Sequence, residues 1–323
     1  MKYIQENIFN NPKMLPTRDG FGKALVELGE INEKIIVLTT DVAGSVRANW
    51  FAEKFPKRFF DLGIAEQNMI GVATGISLEN KIPFATTFGA FITGRVWDQI
   101  RVLISYSQTN VKLVATHTGV TVGEDGATHQ ILEDIALMRV LPNMTVVVPS
   151  DFNETKKAIF AAADFKGPIY IRLGRQKAPL ITTDDAPFEI GKSQKLRDGN
   201  DVTIVACGVL VYEALLAAEK LNKLGISARV LNMHTIKPLD VDSLLEAAKT
   251  TGAIVTAEEH QIAGGLGSAV AEVLSQQNPV PIEMIGINDE FGISGTSDQL
   301  LTYYGLRSDN IVGSVKKVLK RKR

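Results

Sequence analysis

The chain has 323 residues and a mass of 35.1 kDa, about twice what one hydrophobic core usually supports, so its length favours two domains. With 45% hydrophobic and 22% charged residues and 27 glycines, the composition fits a soluble globular protein and excludes disordered, collagen-like and disulfide-rich classes. Lysine plus arginine (35) nearly balances aspartate plus glutamate (36), so no global positive field exists to hold nucleic acid or an anionic membrane, and neither is expected as a partner.

From the N-terminus, residues 1–17 lack a continuous apolar core and contain Pro12 and Pro16, which argues against a signal peptide or a spanning helix. The amphipathic run 19–29 predicts a helix, and 34–40 (KIIVLTT) a strand. Strands are then expected at 59–62 and 83–88, and helices at 65–78 and 93–106. Further strands fall at 111–116, 145–149 and 168–173 (PIYIRL), with a helix at 151–163. The Pro-, Thr- and Asp-containing stretch at about 176–191 reads as a linker between a first domain, 1–180, and a second, 191–323. The second series opens with a strand at 202–206 (VTIVA) and a helix at 211–224, and continues through 227–231, 241–248, 253–258 and a helix at 264–274. Strands separated by helices of this length need crossover connections, so the expected fold class is α/β: two successive α/β domains with mainly parallel sheets.

Cys207 has no partner for an internal disulfide, and its neighbours Val205, Ala206 and Val209 predict a buried thiol, with a reducing cytoplasm as the simplest location. The longest apolar run, 202–212, is too short to cross a bilayer and breaks at Gly208. The last eight residues hold six basic groups, and removing those six from 35 leaves 29 positive charges against 36 negative elsewhere. A basic helix end opposes the negative pole of the macrodipole, so a solvated end is the reading favoured over a binding patch.

Three clusters could carry chemistry. In the run from Asp61 to Asn68, Glu66 falls in the first turn of a helix that follows a strand, at the sheet edge where ligands of parallel sheets bind. Acidic residues also favour helix N-termini for their own sake, but Ile64, Ala65, Met69 and Ile70 would desolvate this carboxyl group and let it share a proton. The second cluster, Thr87 to Phe91 followed by Gly94, Arg95 and Trp97, offers Phe88 and Phe91 as core packing or as a wall for a flat heterocycle. The third, from His117 to Gln130, puts two of the four histidines in a glycine-rich loop directly after a strand. Its spacing fits no helical two-histidine metal motif, so polar substrate recognition with proton transfer is the better reading. Arg18 and, in IRLGRQ, Arg172 and Arg175 stand where an anion could meet them, or could form structural ion pairs. The Gly264 to Ser268 run lacks a P-loop lysine and reads as a tight helix entry.

These clusters, in this order, resemble the C-terminal half of transketolase over nearly the whole chain. GEDGATHQ (123–130) is close to the family's GEDGPTHQ, with Ala127 for proline. IAEQNM around Glu66, TFGAFITGRVWDQIR (87–101), EEHQIAGGLGSAVAE (258–272) and FGISGTSDQLLTYYGL (291–306) also match. After Phe91 the chain departs from the bacterial and yeast pattern by a one-residue insertion, with Gly94 near an expected aromatic. The resemblance implies a pyrimidine-binding domain of a thiamine diphosphate enzyme followed by a transketolase C-terminal domain. It implies that Glu66 hydrogen-bonds the aminopyrimidine, Phe91 stacks on it with Phe88 nearby, and Asp41 lies close to the thiamine. It further implies that His129 contacts the donor's hydroxyls, Asp125 reads sugar stereochemistry, and Arg18, Ser45, His117 and Arg175 hold the sugar phosphate and distal hydroxyls; Glu66 and His129 are the catalytic pair. The activity implied is transfer of a two-carbon ketol unit from a ketose phosphate to an aldose phosphate, as in the non-oxidative pentose phosphate pathway.

No segment resembles the family's GDG-containing stretch for magnesium and diphosphate, so no metal ligand is expected here. Mg2+ (or Ca2+) is expected mainly on a separate N-terminal subunit in an α2β2 heterotetramer. The alternatives are the beta subunit of a 2-oxo acid dehydrogenase decarboxylase component, against which GEDGATHQ and the phosphate clamp argue, and a non-catalytic scaffold subunit.

Overall fold

The structure, a computed structural model, describes residues 3–322, so Met1 and Lys2 of the N-terminal segment and Arg323 of the basic end lie outside it. Among the described residues, the strands are β1 (Met14–Pro16), β2 (Ile35–Thr39), β3 (Phe59–Asp61), β4 (Ile82–Phe88), β5 (Lys112–Thr116), β6 (Thr145–Val147) and β7 (Ile169–Arg172). They continue with β8 (Lys177–Pro179), β9 (Gln194–Arg197), β10 (Val202–Ala206), β11 (Ala228–Asn232), β12 (Thr235–Lys237), β13 (Ile254–Gln261) and β14 (Ile282–Ile287).

Every residue of β2, β5 and β10 is buried, as continuous apolar runs become when helices cover both faces of a parallel sheet. The first sheet has the order β12-β6-β7-β5-β4-β2-β3, and the second β14-β13-β10-β11-β9. All neighbouring pairs are parallel except β12 with β6 and β11 with β9. The expected two-domain α/β fold with mainly parallel sheets is therefore present.

Three features differ from the sequence reading. Strand β12 follows β11 in the second series yet closes the edge of the first sheet, so the two units share a sheet. The stretch read as a linker contains β8, which pairs antiparallel with β1; short runs interrupted by proline carry too little hydrophobic periodicity to announce a strand. The single helix expected at 93–106 is broken into Gly89–Thr93, Trp97–Gln99 and a π-helical stretch, Ile100–Tyr106.

One core runs under both units: Leu38, Ile70 and Ala85 of the first pack in the same cluster as Val205, Leu231 and Leu266 of the second. Each such buried aliphatic side chain contributes on the order of 1.5–3 kcal/mol, which holds the units together as one rigid support. Cys207 is buried within this cluster. The basic C-terminal end is partly engaged, since Lys317 Nζ donates to Glu283 Oε2 at 2.7 Å and Arg321 bonds the same carboxylate. No helix of the described residues is long and apolar enough to cross a membrane.

Candidate active site

All candidate residues gather at the C-terminal edge of the first sheet, the edge at which parallel sheets bind ligands. Asp41 and Ser45 follow β2, Glu66 follows β3, Phe88 ends β4 and Phe91 follows it, His117 follows β5 directly, and Arg175 follows β7. Arg18 enters from the helix Thr17–Ile31. Two of these residues, Asp41 (φ 61°) and His117 (φ 55°), adopt left-handed backbone conformations that non-glycine residues rarely take, and such strain concentrates at functional sites. Thr40 Oγ1 donates to Thr87 Oγ1 at 2.7 Å and so fixes the loop after β2 against the end of β4.

At one end of the site Glu66 opens the helix Glu66–Leu78 with its side chain only 4% exposed. Met69 and Ile70 are fully buried beside it in sequence, but Ile64 is 78% exposed and does not shield it. Its partner is Arg95, whose Nη1 donates to Glu66 Oε2 at 2.9 Å. The Arg95 guanidinium also lies over the Phe91 ring, 4.5 Å from its centroid.

From Phe91 a group of rings leads inward. Phe91 is 5.9 Å from Phe88 and 5.5 Å from His129, centroid to centroid, and Phe88 lies 4.0 Å from His117. The two phenylalanines are thus half-buried and packed against two imidazoles as well as aliphatic side chains.

At the far end, Arg18 Nη1 donates to the Ser45 carbonyl at 2.9 Å and lies 3.3 Å from His117 Nε2. An arginine N–H only donates, so Nε2 accepts and Nδ1 carries the proton, which it directs to Thr116 Oγ1 at 2.9 Å. Burial, reinforced by Arg18 and Arg175, pushes the His117 imidazole down to about 3, so it is neutral at physiological pH. Burial and then the nearby Arg47 lower Arg18, whose buried Nε has no partner. The guanidinium groups repel one another there, while Asp19, bonded to Arg47 at 2.6 Å, offsets part of the positive field; the net balance suits an anion at the free Arg18 Nε.

The loop carrying Asp125 and His129 rests on the second unit. Thr121 N–H donates to the buried Glu259 carboxylate, Ser297 Oγ donates to the Thr121 carbonyl at 2.8 Å, and Gln130 Nε2 donates to the carbonyls of Gly123 and Ile293, both at 2.9 Å. Two glycines permit this approach. A Cβ at Gly119 (φ 77°) would stand 2.3 Å from Glu259 Cδ, and one at Gly126 (φ 72°) 2.6 Å from Ser294 Oγ. Arg175 Nη1 donates to the Val122 carbonyl at 2.7 Å and reaches Asp125 at 3.5 Å.

The structure therefore brings together Phe91, Phe88, His129, His117 and Arg18 through direct contacts, with Glu66 linked to Phe91 through Arg95, Ser45 linked to Arg18 through its backbone carbonyl, and Arg175 and Asp125 beside them. Asp41 lies exposed at the end of β2, tied through its backbone N–H to Asp61 Oδ1 at 2.8 Å. Arg172, read as a possible anion binder, is instead sealed in an ion pair with Asp134. Arg95, Arg47, Gln130 and Glu259 have roles no local pattern assigned; Glu259 reaches the loop from the second unit, and Arg47 turns toward Arg18 from the segment that carries Ser45. Among the described residues no cluster of three or more His, Cys, Asp or Glu side chains could hold a metal ion.

Comparison with known proteins decides the family. The transketolase pyrimidine-binding domain matches residues 13–180 and the transketolase C-terminal domain matches residues 191–311. The chain belongs to the transketolase family. A Methanocaldococcus jannaschii protein provisionally described as a transketolase C-terminal section is 48% identical over 94% of this chain and 96% of its own length. The 6-deoxy-6-sulfo-D-fructose transketolase subunit of a Clostridium species is 42% identical over 94% and 95%. A solved structure described as a split gene transketolase, inactive beta4 tetramer, superimposes with a TM-score of 0.90 at 51% identity, covering 96% of this chain and all of the other. The chain thus carries the same two transketolase domains as the beta subunit of a split enzyme.

Proposed function

We propose that this chain is the C-terminal subunit of a thiamine diphosphate-dependent transketolase, active with a separate N-terminal subunit in an α2β2 heterotetramer, and cytoplasmic. The observation that carries the reading is the line that runs from the buried Glu66 carboxylate, through Arg95 to Phe91 and the rings of Phe88 and His129, to the neutral His117 imidazole and the guanidinium groups of Arg18 and Arg175. One end suits an aminopyrimidine and the other a sugar phosphate. The residues fit the cofactor's pyrimidine half: Phe91 offers a ring face, and Glu66, almost withdrawn from water, offers a carboxylate to a ring nitrogen. The diphosphate and Mg2+ would be held mainly by the partner.

Bound thiamine diphosphate would supply a nucleophilic carbon and an electron sink for breaking and making a carbon–carbon bond. Glu66 would hold and return a proton at its carboxylate. His129, aimed between the phenyl rings, would orient and hydrogen-bond the donor's hydroxyls, with Asp125 reading their configuration and Asp41 near the thiamine. Arg18, Arg175 and Ser45 would anchor the phosphate and fix the distance from anion to reacting carbonyl, with neutral His117 accepting from Arg18 and so positioning it. The reaction is transfer of a two-carbon ketol unit between sugar phosphates. The non-oxidative pentose phosphate pathway is the natural setting; one relative is named for a sulfo-sugar in its place.

Mixing the purified chain with the N-terminal subunit, Mg2+ and thiamine diphosphate should restore ketol transfer between phosphorylated sugars. Full activity from this chain alone would refute the split assignment. Cleavage of 2-oxo acids in place of ketose phosphates would favour a decarboxylase component. Glu66→Ala should assemble normally, by native mass spectrometry, and be inactive; normal turnover would point to a scaffold role.

A further inference from the structure

Arg95 does two things at once. It donates to the buried Glu66 carboxylate at 2.9 Å and covers the Phe91 ring face at 4.5 Å, while its own side chain remains 47% exposed. A planar group with N–H donors, stacked on that phenyl and bonded to that carboxylate, has the same two contacts that an aminopyrimidine would make there. Two flat groups cannot share one ring face, so ligand and arginine exclude each other.

The backbone around Arg95 is built for a side chain that leaves. The residue lies in the break between the helices Gly89–Thr93 and Trp97–Gln99, where Gly94 faces open space apart from the Ala90 carbonyl. Val96 is fully buried and Trp97 Nε1 donates to the Leu137 carbonyl at 2.9 Å, so the chain is anchored immediately after Arg95. The half-exposed guanidinium can rotate into solvent without disturbing either anchor.

We infer that Arg95 is a built-in placeholder for the cofactor's aminopyrimidine. It keeps the Glu66 carboxylate partnered and the Phe91 face covered in the empty subunit, and it is displaced when the cofactor enters. The inference rests on the thiamine reading above. It makes cofactor affinity a competition, in which the apparent affinity is the intrinsic one reduced by the fraction of sites from which Arg95 has already departed.

The test uses the assembled complex with Mg2+, comparing wild type, Arg95→Met and Arg95→Lys by calorimetric titration with thiamine diphosphate and by thermal unfolding with and without it. Arg95→Met should bind the cofactor about tenfold more tightly, with Arg95→Lys in between. Without cofactor, Arg95→Met should unfold at a lower temperature because Glu66 is left buried and unpaired; at saturating cofactor the difference should vanish. Binding by Arg95→Met that is equal to or weaker than wild type, or equal destabilisation in both states, would overturn the placeholder role and leave the thiamine reading standing. Absence of any binding to the wild-type complex would overturn that reading and the placeholder with it.

Discussion

Arg172 Nε donates to Asp134 Oδ2 at 2.8 Å, with side chains 5% and 0% exposed, and Arg172 Nη2 donates to the Glu259 carbonyl at 2.8 Å. Tyr170 O–H donates to the same Asp134 oxygen at 2.6 Å. One ion pair thus fastens β7 to the helix Asp134–Arg139 and to β13 of the second unit, beneath the substrate loop.

Removing one partner of such a pair leaves a buried charge alone, at a cost of about 3–5 kcal/mol. Arg172→Met should lower urea-unfolding stability by that order. Adding Asp134→Asn, which leaves no charge and still accepts from Tyr170, should recover part of the loss. A double variant as unstable as the sum of the singles would contradict this coupling.

Glu258 predicts a pH effect on stability. Its fully buried carboxylate accepts from the backbone N–H groups of Leu266 (2.7 Å) and Gly267 (2.8 Å), at the start of the helix Leu266–Gln277. Burial pushes the group up to about 8 in spite of those bonds. The folded chain therefore keeps a proton that the unfolded chain releases near an ordinary glutamate value of about 4.3. This contribution is complete below that value and declines as pH rises toward about 8. Glu258→Gln should flatten the decline in urea midpoints between about pH 5 and pH 8. An unchanged slope in the variant would assign the effect to other groups.

The same residue illustrates what the sequence could convey. The glycine run after Glu258 reads as a tight helix entry from its composition, and the helix starts there. That the Glu258 carboxyl group accepts from the first N–H groups of this helix depends on a strand-to-helix turn that periodicity does not encode. In the candidate site, the positions of Glu66 at a helix start, Phe91 just after β4 and His117 just after β5 follow from the strand and helix pattern, whereas His129 lies in the loop that joins β5 to the helix Asp134–Arg139 and is singled out by its motif alone. Arg47 is not legible: its positive φ and its contact with Asp19 at 2.6 Å arise from the fold of the loop after β2. For Arg172 the sequence leaves anion binding and a structural ion pair both open, because position at a strand end does not reveal that Asp134, 38 residues away, faces it; the structure shows the ion pair.

At the anion end, Arg175 reaches the site half-exposed, held by the Val122 carbonyl. Losing a charge-assisted hydrogen bond to phosphate costs about 1.5–3 kcal/mol. Arg175→Ala in the assembled enzyme should therefore raise KM for a phosphorylated ketose about 10- to 100-fold and leave KM for a non-phosphorylated one nearly unchanged. His117, neutral down to about pH 3 before substrate binds, contributes an acceptor for Arg18 and no charge. Equal losses on both ketoses would show that Arg175 supports the loop instead of holding the phosphate.

The second unit's influence on the site should pass through Gln130. Its amide donates to the carbonyls of Gly123 and Ile293 and so ties the loop bearing Asp125 and His129 to the segment after β14. Gly292 packs so closely on it that a Cβ there would stand 1.7 Å from Gln130 Oε1. Gln130→Leu keeps the volume and removes these bonds together with a longer one to the Val120 carbonyl (3.4 Å), leaving three carbonyls without this donor. Because the loop would still be anchored by Thr121 on Glu259, global unfolding should shift by only about 1–2 kcal/mol. Turnover should fall further than that shift implies, since catalysis depends on where His129 stands, and a loss of about tenfold or more in kcat is expected. The discriminating measurement pairs kcat with cofactor affinity for the variant. A drop in kcat with cofactor binding intact places the fault in the substrate loop, whereas unchanged kcat would mean that the second unit supports the fold without setting the geometry of the site.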